Sequence, residues 1–303
     1  MDPINSIVVP TDFSDLSAAA IERAIDLARL NGASIHLLHA LRFPALTTPY
    51  EVSVPAAVIQ GLREGAEGQL AKAREAIVEK GITNVTVEID EAEDTDGAIA
   101  DAVRTHGADL VVMGSHGHSG LKRAFLGSVA ERTLRSSPCP VMVVKEDAKK
   151  ADEPISRILI PVDFSPHAKK AVDVATALAR RVGASIDVLH VIDTPPDFVP
   201  YASLFGVELE QKMQKSAAEE LAPIAKSIEE VNVPVSLHTV RGQPSIAVSK
   251  AAEKFGSDLI VMGTRGASGL AHVLLGSVAE RTIRTSRCSV LAVRADEEGE
   301  AGE

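Results

Sequence analysis

The chain has 303 residues, of which 45% are hydrophobic and 24% charged, and it carries a net charge of −11 at pH 7. This composition is that of an ordinary globular protein of about two domains, and the negative charge argues against bulk binding to nucleic acid or to an anionic membrane surface. No apolar run reaches the roughly 18 residues that a membrane span requires. The first 20 residues lack a basic start before an apolar run, so no signal peptide is expected and a cytoplasmic location is predicted.

The first half of the sequence alternates between predicted strands and predicted helices. Its first apolar run, Ile7–Val9, is typical of a strand buried on both faces of a parallel sheet. Ser14 is a suitable N-cap for the next helix, whose apolar residues recur at helical spacing until Asn31 and Gly32 end it. Further strands are predicted at about 34–40, 85–89, 110–113 and 141–144, and further helices at about 57–80, 97–106 and 129–135. Strands that alternate with helices at this spacing predict βαβ units and a parallel sheet.

The pattern restarts after residue 153 and repeats the first half. An apolar run at 158–160 precedes a second copy of the same strand end, and Pro166 occupies the first position of the helix that follows. Residues 276–293 are identical to residues 127–144 at 12 of 18 positions. The sequence therefore predicts two tandem domains at 1–147 and 154–295, a charged linker at 148–153 and an acidic tail at 296–303.

A glycine-rich stretch, Gly114–Ser128, stands between a solid apolar run and a predicted helix. Glycines let the backbone come close to a ligand, and the N–H groups at the start of a helix attract anions. The same stretch occurs again as Gly263–Ser277, 149 residues later. Each half therefore carries the pattern of an anion-binding loop.

The two cysteines, Cys139 and Cys288, stand just before the last predicted strand of their halves. Free cysteine is among the most often buried residues, so a buried thiol is the first interpretation. A disulfide between the two, or a redox role, is the alternative.

The residues around the predicted strand ends resemble those of the universal stress protein family. Both halves have Pro-x-Asp-Phe-Ser, at 10–14 and 161–165, a Leu-His pair before the second loop, and the spacing Gly-x2-Gly-x9-Gly-Ser. The chain is therefore similar to a tandem member of that family. The resemblance implies two doubly wound α/β domains, each with a five-stranded parallel sheet of strand order 3-2-1-4-5 and helices on both faces.

The resemblance also implies a ligand and partners. Family members with this glycine loop complete generally bind ATP, here with Mg²⁺, at the carboxyl ends of the strands, where ligands of doubly wound sheets are found. Self-association through the fifth strands or other domain faces, a protein partner and a role in stress survival are implied as well.

Carried over position by position, the family pattern assigns residues to the two ends of ATP. Asp12 and Asp163 would serve the adenosine end, because a carboxylate repels phosphates but accepts hydrogen bonds from hydroxyl and amino groups. Ala40 and Val191 would offer backbone groups to adenine, and the loop glycines and serines would hold the phosphates. The residues predicted to bind nucleotide in the first half are Pro10, Thr11, Asp12, Ala40, Met113, Gly114, Gly117, His118, Gly127, Ser128 and Val129. Those in the second half are Pro161, Val162, Asp163, Val191, Met262, Gly263, Gly266, Ala267, Gly276, Ser277 and Val278.

Some of these residues also have a structural interpretation. Ser128 and Ser277 each have a glutamate three residues later and so match the capping-box pattern. This pattern explains both serines without a ligand, and it would also allow a phosphate to bind at the same helix start. Asp12 and Asp163 would also suit strand-end caps in a turn. These interpretations remain open on the sequence alone.

The loops differ between the two halves. His116 and His118 fall short of the three or four ligands of a zinc site, and no metal site is predicted from them. Lys122 and Arg123 could neutralise phosphates or lie on a solvated face, and the second half lacks them. The first half also has an acidic run, 91–96, where the second half has a glycine turn. The sequence does not rank the two sites.

Five of the nine aromatic residues fall in the loops after the second strands. They are Phe43, Tyr50, Phe198, Tyr201 and Phe205. A lid over the ligand crevice, a subunit contact and ordinary loop packing are the three interpretations.

The leading hypothesis is an ATP-binding stress-response regulator with two nucleotide sites. The Gly-Lys-Ser/Thr signature of a P-loop is absent, so at most slow hydrolysis or autophosphorylation is expected, and no catalytic residue is assigned. A nucleotide-independent interaction scaffold is the alternative. An AMP-transferring enzyme of related fold is disfavoured, because Pro10-Thr11-Asp12 stands where such enzymes have a Ser/Gly-rich loop.

Overall fold

The computed structural model describes residues 4–42, 55–91, 94–117, 126–146, 153–193, 206–266 and 275–295. The chain forms two compact units with the main break between Asp152 and Glu153. Each unit is an α/β domain, which confirms the fold class predicted from the sequence. The residues of interest that lie outside the described ranges are His118, Ala267, Lys122, Arg123, the five loop aromatics, most of the linker and the acidic tail.

The first domain contains five parallel strands and four helices in its described residues. The strands are β1 (Ser6–Pro10), β2 (Ser34–Ala40), β3 (Val85–Asp90), β4 (Leu110–Gly114) and β5 (Val141–Val144). The helices are α1 (Asp15–Asn31), α2 (Ala56–Glu79), α3 (Thr95–His106) and α4 (Ser128–Ser136). Strand β1 pairs with β2 and β4, β2 pairs with β3, and β4 pairs with β5, so the strands lie in the order β3-β2-β1-β4-β5.

The second domain repeats this arrangement in its described residues. Its strands are β6 (Arg157–Val162), β7 (Ser185–Ile192), β8 (Val235–Arg241), β9 (Leu259–Gly263) and β10 (Ser289–Val293). Its helices are α5 (Pro166–Val182), α6 (Gly206–Glu229), α7 (Pro244–Phe255) and α8 (Ser277–Thr285). Strand β6 pairs with β7 and β9, β7 pairs with β8, and β9 pairs with β10, all in parallel.

In each domain the chain changes direction along the sheet between the first and fourth strands. Strand β1 connects through α1 to β2 on one side, whereas β4 connects through α4 to β5 on the other side. Right-handed crossovers therefore place α1 and α2 on one face of the sheet and α3 and α4 on the other. The diverging connections open a crevice at the carboxyl ends of β1 and β4, and β6 and β9 are their counterparts.

The central strands are buried on both faces. Ile7, Val8 and Val9 of β1, and Val111 and Val112 of β4, are 0% exposed. Successive side chains of a strand point to opposite faces, so helices must cover both sides of the sheet. The apolar runs of the sequence therefore indicated these strands correctly.

Helix α1 and its counterpart α5 begin and end where the sequence predicts. The Oγ atoms of Ser14 and Ser165 each accept a hydrogen bond from a backbone N–H of the first turn. Both helices end at a glycine in the left-handed conformation, Gly32 with φ 69° and Gly183 with φ 72°. Glycine adopts this conformation without the steric cost that a Cβ brings.

Helix α4 corrects the capping-box interpretation. Its N-cap is Gly127, which has no side chain to accept a hydrogen bond, and Ser128 is the first helical residue. Helix α8 repeats this arrangement with Gly276 as its N-cap. Glu131 binds Arg135 one turn later, with 3.0 Å between Oε1 and Nη2. The capping-box interpretation is therefore wrong, because each serine lies one residue beyond the capping position.

Cys139 and Cys288 are free thiols and are partly buried. Burial raises the pKa of Cys139 to about 11, although a hydrogen bond with Ser137 opposes the shift. A thiol with so high a pKa is rarely ionised at neutral pH and is unreactive. The disulfide interpretation is wrong, and Cys139 is a packed thiol.

Candidate functional site

A cavity of about 390 Å³ lies at the carboxyl ends of β1 and β4 in the first domain. Ten of the eleven residues predicted for this half line the cavity, and His118 lies outside the described part of the chain. The ten are Pro10, Thr11, Asp12, Ala40, Met113, Gly114, Gly117, Gly127, Ser128 and Val129. The fold therefore brings together the ends of three strands, a glycine loop and a helix start.

A cavity of about 530 Å³ lies at the equivalent place in the second domain, at the ends of β6 and β9. Ten of the eleven predicted residues again line it, and Ala267 lies outside the described ranges. The ten are Pro161, Val162, Asp163, Val191, Met262, Gly263, Gly266, Gly276, Ser277 and Val278. Each domain thus has its own copy of the site.

Sequence reasoning missed part of the lining in both domains. The additional residues are Ser17, Leu38, His39, Thr95, His116 and Ala130 in the first cavity, and Ala168, Leu189, Asp193, Pro244, Val248, Thr264, Arg265 and Ala279 in the second. Thr95 was missed because the sequence placed the start of α3 at Gly97. Asp94 caps the helix earlier by accepting a hydrogen bond from the N–H of Gly97 at 3.2 Å. The acidic N-cap residue was the signal that could have located this start.

Asp12 lies in a tight turn at the end of β1. Its Oδ1 atom accepts hydrogen bonds from the N–H of Ser14 at 3.1 Å and from the Oγ of Ser14 at 2.6 Å. Asp163 makes the same two bonds with Ser165, also at 3.1 and 2.6 Å. Phe13, between the first pair, has φ 64°, which costs energy in a residue that has a Cβ. The strand-end cap is therefore present in both domains, and it uses one oxygen of each carboxylate.

The other oxygen of Asp12 lies against the glycine loop. A Cβ added to Gly117 would overlap the Oδ2 atom of Asp12, and one added to Gly266 would lie 2.6 Å from the Oδ2 of Asp163. Glycine therefore lets the loop approach the turn this closely, and a larger residue would force the carboxylate to shift. The sequence had assigned Asp12 to the adenosine end and Gly117 to the phosphates, yet the structure brings the two together. Because a phosphate beside Gly117 would meet a carboxylate, the favourable place for negative charge is the neighbouring helix start.

The start of α4 forms the wall of the cavity that suits an anion. Its first three residues, Ser128, Val129 and Ala130, line the cavity, and N–H groups of a first helical turn have no partner within the helix. Glycine suits position 127 because an added Cβ would lie 3.2 Å from the Cα of His116 and would push that backbone aside by a few tenths of an ångström. A helix of nine residues carries partial positive charge at this end. Helix α8 lines the second cavity in the same way.

The Leu-His pairs have a structural function beside the cavities. The Nδ1 of His39 donates to the carbonyl oxygen of Thr11 at 2.8 Å, and the Nδ1 of His190 donates to that of Val162 at 2.9 Å. The ring of Phe13 lies 4.4 Å from that of His39, centroid to centroid. These contacts tie the end of β2 to the turn after β1 and so fix the position of the carboxylate.

Comparison with known proteins identifies the family of the chain. The model of the universal stress protein family matches residues 3–145 and 154–294. The chain belongs to the universal stress protein family. A universal stress protein of Mycolicibacterium smegmatis is 30% identical over 298 residues, which cover 95% of this chain and 96% of that protein. Universal stress protein A homolog 1 of Coxiella burnetii is 38% identical over 141 residues, which cover 45% of this chain and 94% of that protein.

Solved structures place the same two domains in one chain. The crystal structure of a universal stress protein from Archaeoglobus fulgidus aligns with a TM-score of 0.72 at 25% identity, covering 97% of this chain and 98% of that one. The tandem organisation predicted from the sequence is therefore confirmed. In the parts of the chain that the structure describes, no helix is long and apolar enough to cross a membrane.

The two sites of this universal stress protein differ in charge. Asp12 and His116 line the first cavity, whereas Asp163, Asp193 and Arg265 line the second. No group of three His, Cys, Asp or Glu residues within the described ranges could hold a metal ion. Protein sites usually hold Mg²⁺ through one or two carboxylates together with phosphate oxygens. The residues present therefore fit Mg²⁺ only as a companion of a bound nucleotide.

Proposed function

We propose that this universal stress protein is an ATP-binding regulator of a stress response, with one nucleotide site in each domain. The observation that carries the proposal is the convergence of strand ends, glycine loop and helix start around one cavity per domain. Small-molecule sites usually measure about 300–1,000 Å³, and these cavities measure about 390 and 530 Å³. The complete glycine loops, which the family resemblance associates with ATP, support this choice of ligand.

The orientation of the nucleotide follows from the charges in the cavity. The phosphates lie at the start of α4, where the first-turn N–H groups and the helix dipole favour negative charge. The adenosine lies toward Asp12, whose carboxylate accepts hydrogen bonds from hydroxyl or amino groups, and toward the backbone of Ala40 at the end of β2. A bound Mg²⁺ would supply charge that neutralises the phosphates. Asp163 and Val191 play the corresponding parts in the second domain.

Hydrolysis is expected to be slow or absent. No lysine is among the described residues that line either cavity. The Oδ1 of Asp12 is engaged with Ser14, and its Oδ2 lies against Gly117, so the carboxylate is poorly placed to activate water. Phosphoryl transfer depends on groups that position the attacking water and stabilise the transferred charge. The bound nucleotide then acts by changing conformation, self-association or the choice of protein partner.

Calorimetric titration of the nucleotide-free protein with Mg-ATP tests the proposal. We expect two binding events in the unsubstituted protein, loss of the first in Gly117→Ala, loss of the second in Gly266→Ala and loss of both in the double variant. The reason is the Cβ, which would overlap the aspartate beside the cavity in each case. Gly61→Ala is the matched control, because a Cβ at Gly61 meets no atom within 4 Å.

Two outcomes would contradict the proposal at different levels. Unchanged stoichiometry in both single variants would refute the assignment of the glycine loops. An absence of heat with the unsubstituted protein, together with an absence of nucleotide released on its denaturation, would favour a nucleotide-independent scaffold.

A further inference from the structure

The two cavities differ at the residues that directly follow β4 and β9. The first cavity has Ser115 and His116 after its fourth strand, and the second has Thr264 and Arg265 at the equivalent positions, 149 residues later. His116, Thr264 and Arg265 all line their cavities. The exchange replaces an imidazole by a guanidinium at this position of the lining.

Both residue pairs lie beside the helix start that is proposed to hold the phosphates. The N–H of Gly127 donates to the carbonyl oxygen of Ser115 at 2.8 Å, and that of Gly276 donates to Thr264 at 2.7 Å. A Cβ added to Gly276 would lie 3.6 Å from the Cα of Arg265. The side chain of Arg265 therefore branches from the backbone that packs against the N-cap of α8.

The hydroxyl groups next to these residues are used differently. The Oγ of Ser115 forms a hydrogen bond with the Nδ1 of His116 at 3.1 Å. Thr264 is 2% exposed, and its Oγ1 has no hydrogen-bond partner among the described residues. The second cavity therefore presents a guanidinium where the first presents an imidazole.

We infer that Arg265, with Thr264 beside it, makes the second site select nucleotides by the charge of their phosphate chain. The inference rests on the proposed function and assigns a specificity-determining residue to one of its two sites. A guanidinium is always charged and binds phosphate oxygens in a bidentate manner, whereas an imidazole lacks this fork of donors. The first site, with His116, therefore discriminates less by phosphate number.

The acidic residues do not cancel this effect. Asp12 and Asp163 occupy equivalent turns, so their repulsion of phosphates contributes equally to both sites. Asp193 lines only the second cavity, but it is exposed to solvent at the end of β7. Salt and water screen an exposed charge, so Arg265 dominates the difference between the two sites.

Reciprocal exchange of the two residues tests the inference in single-site proteins. In one protein, Gly117→Ala inactivates the first site, and Arg265→His is introduced into the remaining second site. In the other, Gly266→Ala inactivates the second site, and His116→Arg is introduced into the remaining first site. Each protein is titrated with ATP and with AMP at neutral pH in the presence of Mg²⁺. The readout is the ratio of the two affinities at one site, which a general loss of stability would not change selectively.

Arg265→His is expected to lower the ratio of ATP affinity to AMP affinity at the second site about tenfold, the effect of one charge-assisted hydrogen bond. His116→Arg is expected to raise the ratio at the first site. Arg265→Lys keeps the charge without the bidentate geometry and should retain part of the selectivity. It replaces Arg265→His in the experiment if that variant does not fold. Arg287→His is the control, because the Arg287 side chain is 77% exposed and pairs with Glu253 outside the cavity.

The results separate this inference from the proposed function. Unchanged ratios in both exchange variants, with ATP still bound, would overturn the role of Arg265 and leave the proposed function intact. Failure of the unsubstituted protein to bind either nucleotide would overturn both.

Discussion

Ser14 supports both the first helix and the first site. Its Oγ accepts a hydrogen bond from the N–H of Ser17 at 3.3 Å and donates one to the Oδ1 of Asp12 at 2.6 Å. The cap and the orientation of the carboxylate therefore depend on one hydroxyl. The same hydroxyl exists in the second domain as Ser165, so the two domains provide a matched pair of tests.

Ser14→Ala is expected to lower the free energy of unfolding of the first domain by about 1 kcal/mol, the usual cost of a lost N-cap. ATP binding should weaken at the first site only, because Asp12 loses the shorter of the two hydrogen bonds that orient its carboxylate. Urea unfolding and calorimetry measure the two effects, and Ser165→Ala should weaken the second site alone. Equal weakening of both sites by either variant would contradict this assignment.

His36 and His106 form a stacked pair at the opposite end of the first sheet, with 4.0 Å between the ring centroids. Burial, and then the neighbouring His106, lower the pKa of His36, while the carboxylate of Glu88 opposes the shift. The two ring nitrogens of His36 also form hydrogen bonds with Thr86 at 2.6 Å and Ser34 at 3.1 Å. The folded domain therefore disfavours the protonated form of His36.

The first domain is expected to lose stability in mildly acidic solution. Because the pKa of His36 is lower in the folded than in the unfolded state, the unfolded state takes up the proton first as the pH falls. The free energy of unfolding should begin to decline at about pH 6.5, where a histidine in the unfolded chain titrates. The decline should level off below the pKa of His36 in the folded protein. His106→Phe, which copies Phe255 of the second domain, removes one cause of the shift and should reduce the decline measured by urea unfolding. A decline of the same size in His106→Phe would show that burial alone is responsible.

The second domain has an ion cluster at the equivalent place. Asp187 is 1% exposed and accepts hydrogen bonds from the Nε of Arg157 at 2.5 Å and from the Nε2 of His238 at 2.7 Å. Burial acts to raise the pKa of Asp187, but the hydrogen bonds from Arg157 and His238 together lower it below its ordinary value. The contribution of Asp187 to the free energy of unfolding is therefore complete above the pKa of an aspartate in the unfolded chain. This contribution is lost only as the pH falls through the lower pKa of Asp187 in the folded protein. The two domains thus respond to acid in different pH ranges.

At the scale of elements, the start of α4 provides a test of whether Ser128 serves the helix or, as proposed, a ligand. Ser128 is the first helical residue and Gly127 is the N-cap, so the hydroxyl of Ser128 stabilises no helix end. Ser128→Ala is expected to change the free energy of unfolding by less than about 0.5 kcal/mol, compared with about 1 kcal/mol for a true cap such as Ser14. ATP binding at the first site should weaken. A stability loss as large as that of Ser14→Ala, measured under the same conditions, would restore the capping interpretation.

The elements were predictable where the information is local. Helix α1 could be placed because its cap at Ser14, its apolar spacing and its stop at Gly32 are all encoded within the helix and its ends. The strands were predictable because both of their faces are buried, which leaves continuous apolar runs. The membership of the cavity was also largely predictable, because the carboxyl ends of parallel strands meet at one edge of the sheet.

The contacts across that edge were not predictable. The approach of Gly117 to Asp12 depends on the distance between two loops about 100 residues apart in the sequence, which only the folded sheet determines. Arg265 was not assigned to the site for a related reason, since it lies between two motif glycines and its spacing alone does not show that it lines the cavity.

At the scale of the whole molecule, the two domains are expected to be separable repeats. The family model matches each of them, and a relative from Coxiella burnetii corresponds over 94% of its own length to 45% of this chain. A fragment of residues 154–295 is therefore expected to fold alone and to bind ATP with the affinity of the second site in the full chain. Urea unfolding and calorimetry would measure this. A folded fragment that binds no ATP would show that the second site requires the first domain.

The contact between Asp12 and Gly117 also restricts what a lineage of such proteins can inherit. A mutation that adds a side chain at position 117 forces the carboxylate at position 12 to shift, because the two would otherwise occupy the same space. Both repeats of this chain have the pair, as Asp12 with Gly117 and Asp163 with Gly266. Among related proteins the two positions should therefore covary, and the loss of one should accompany the loss of the other.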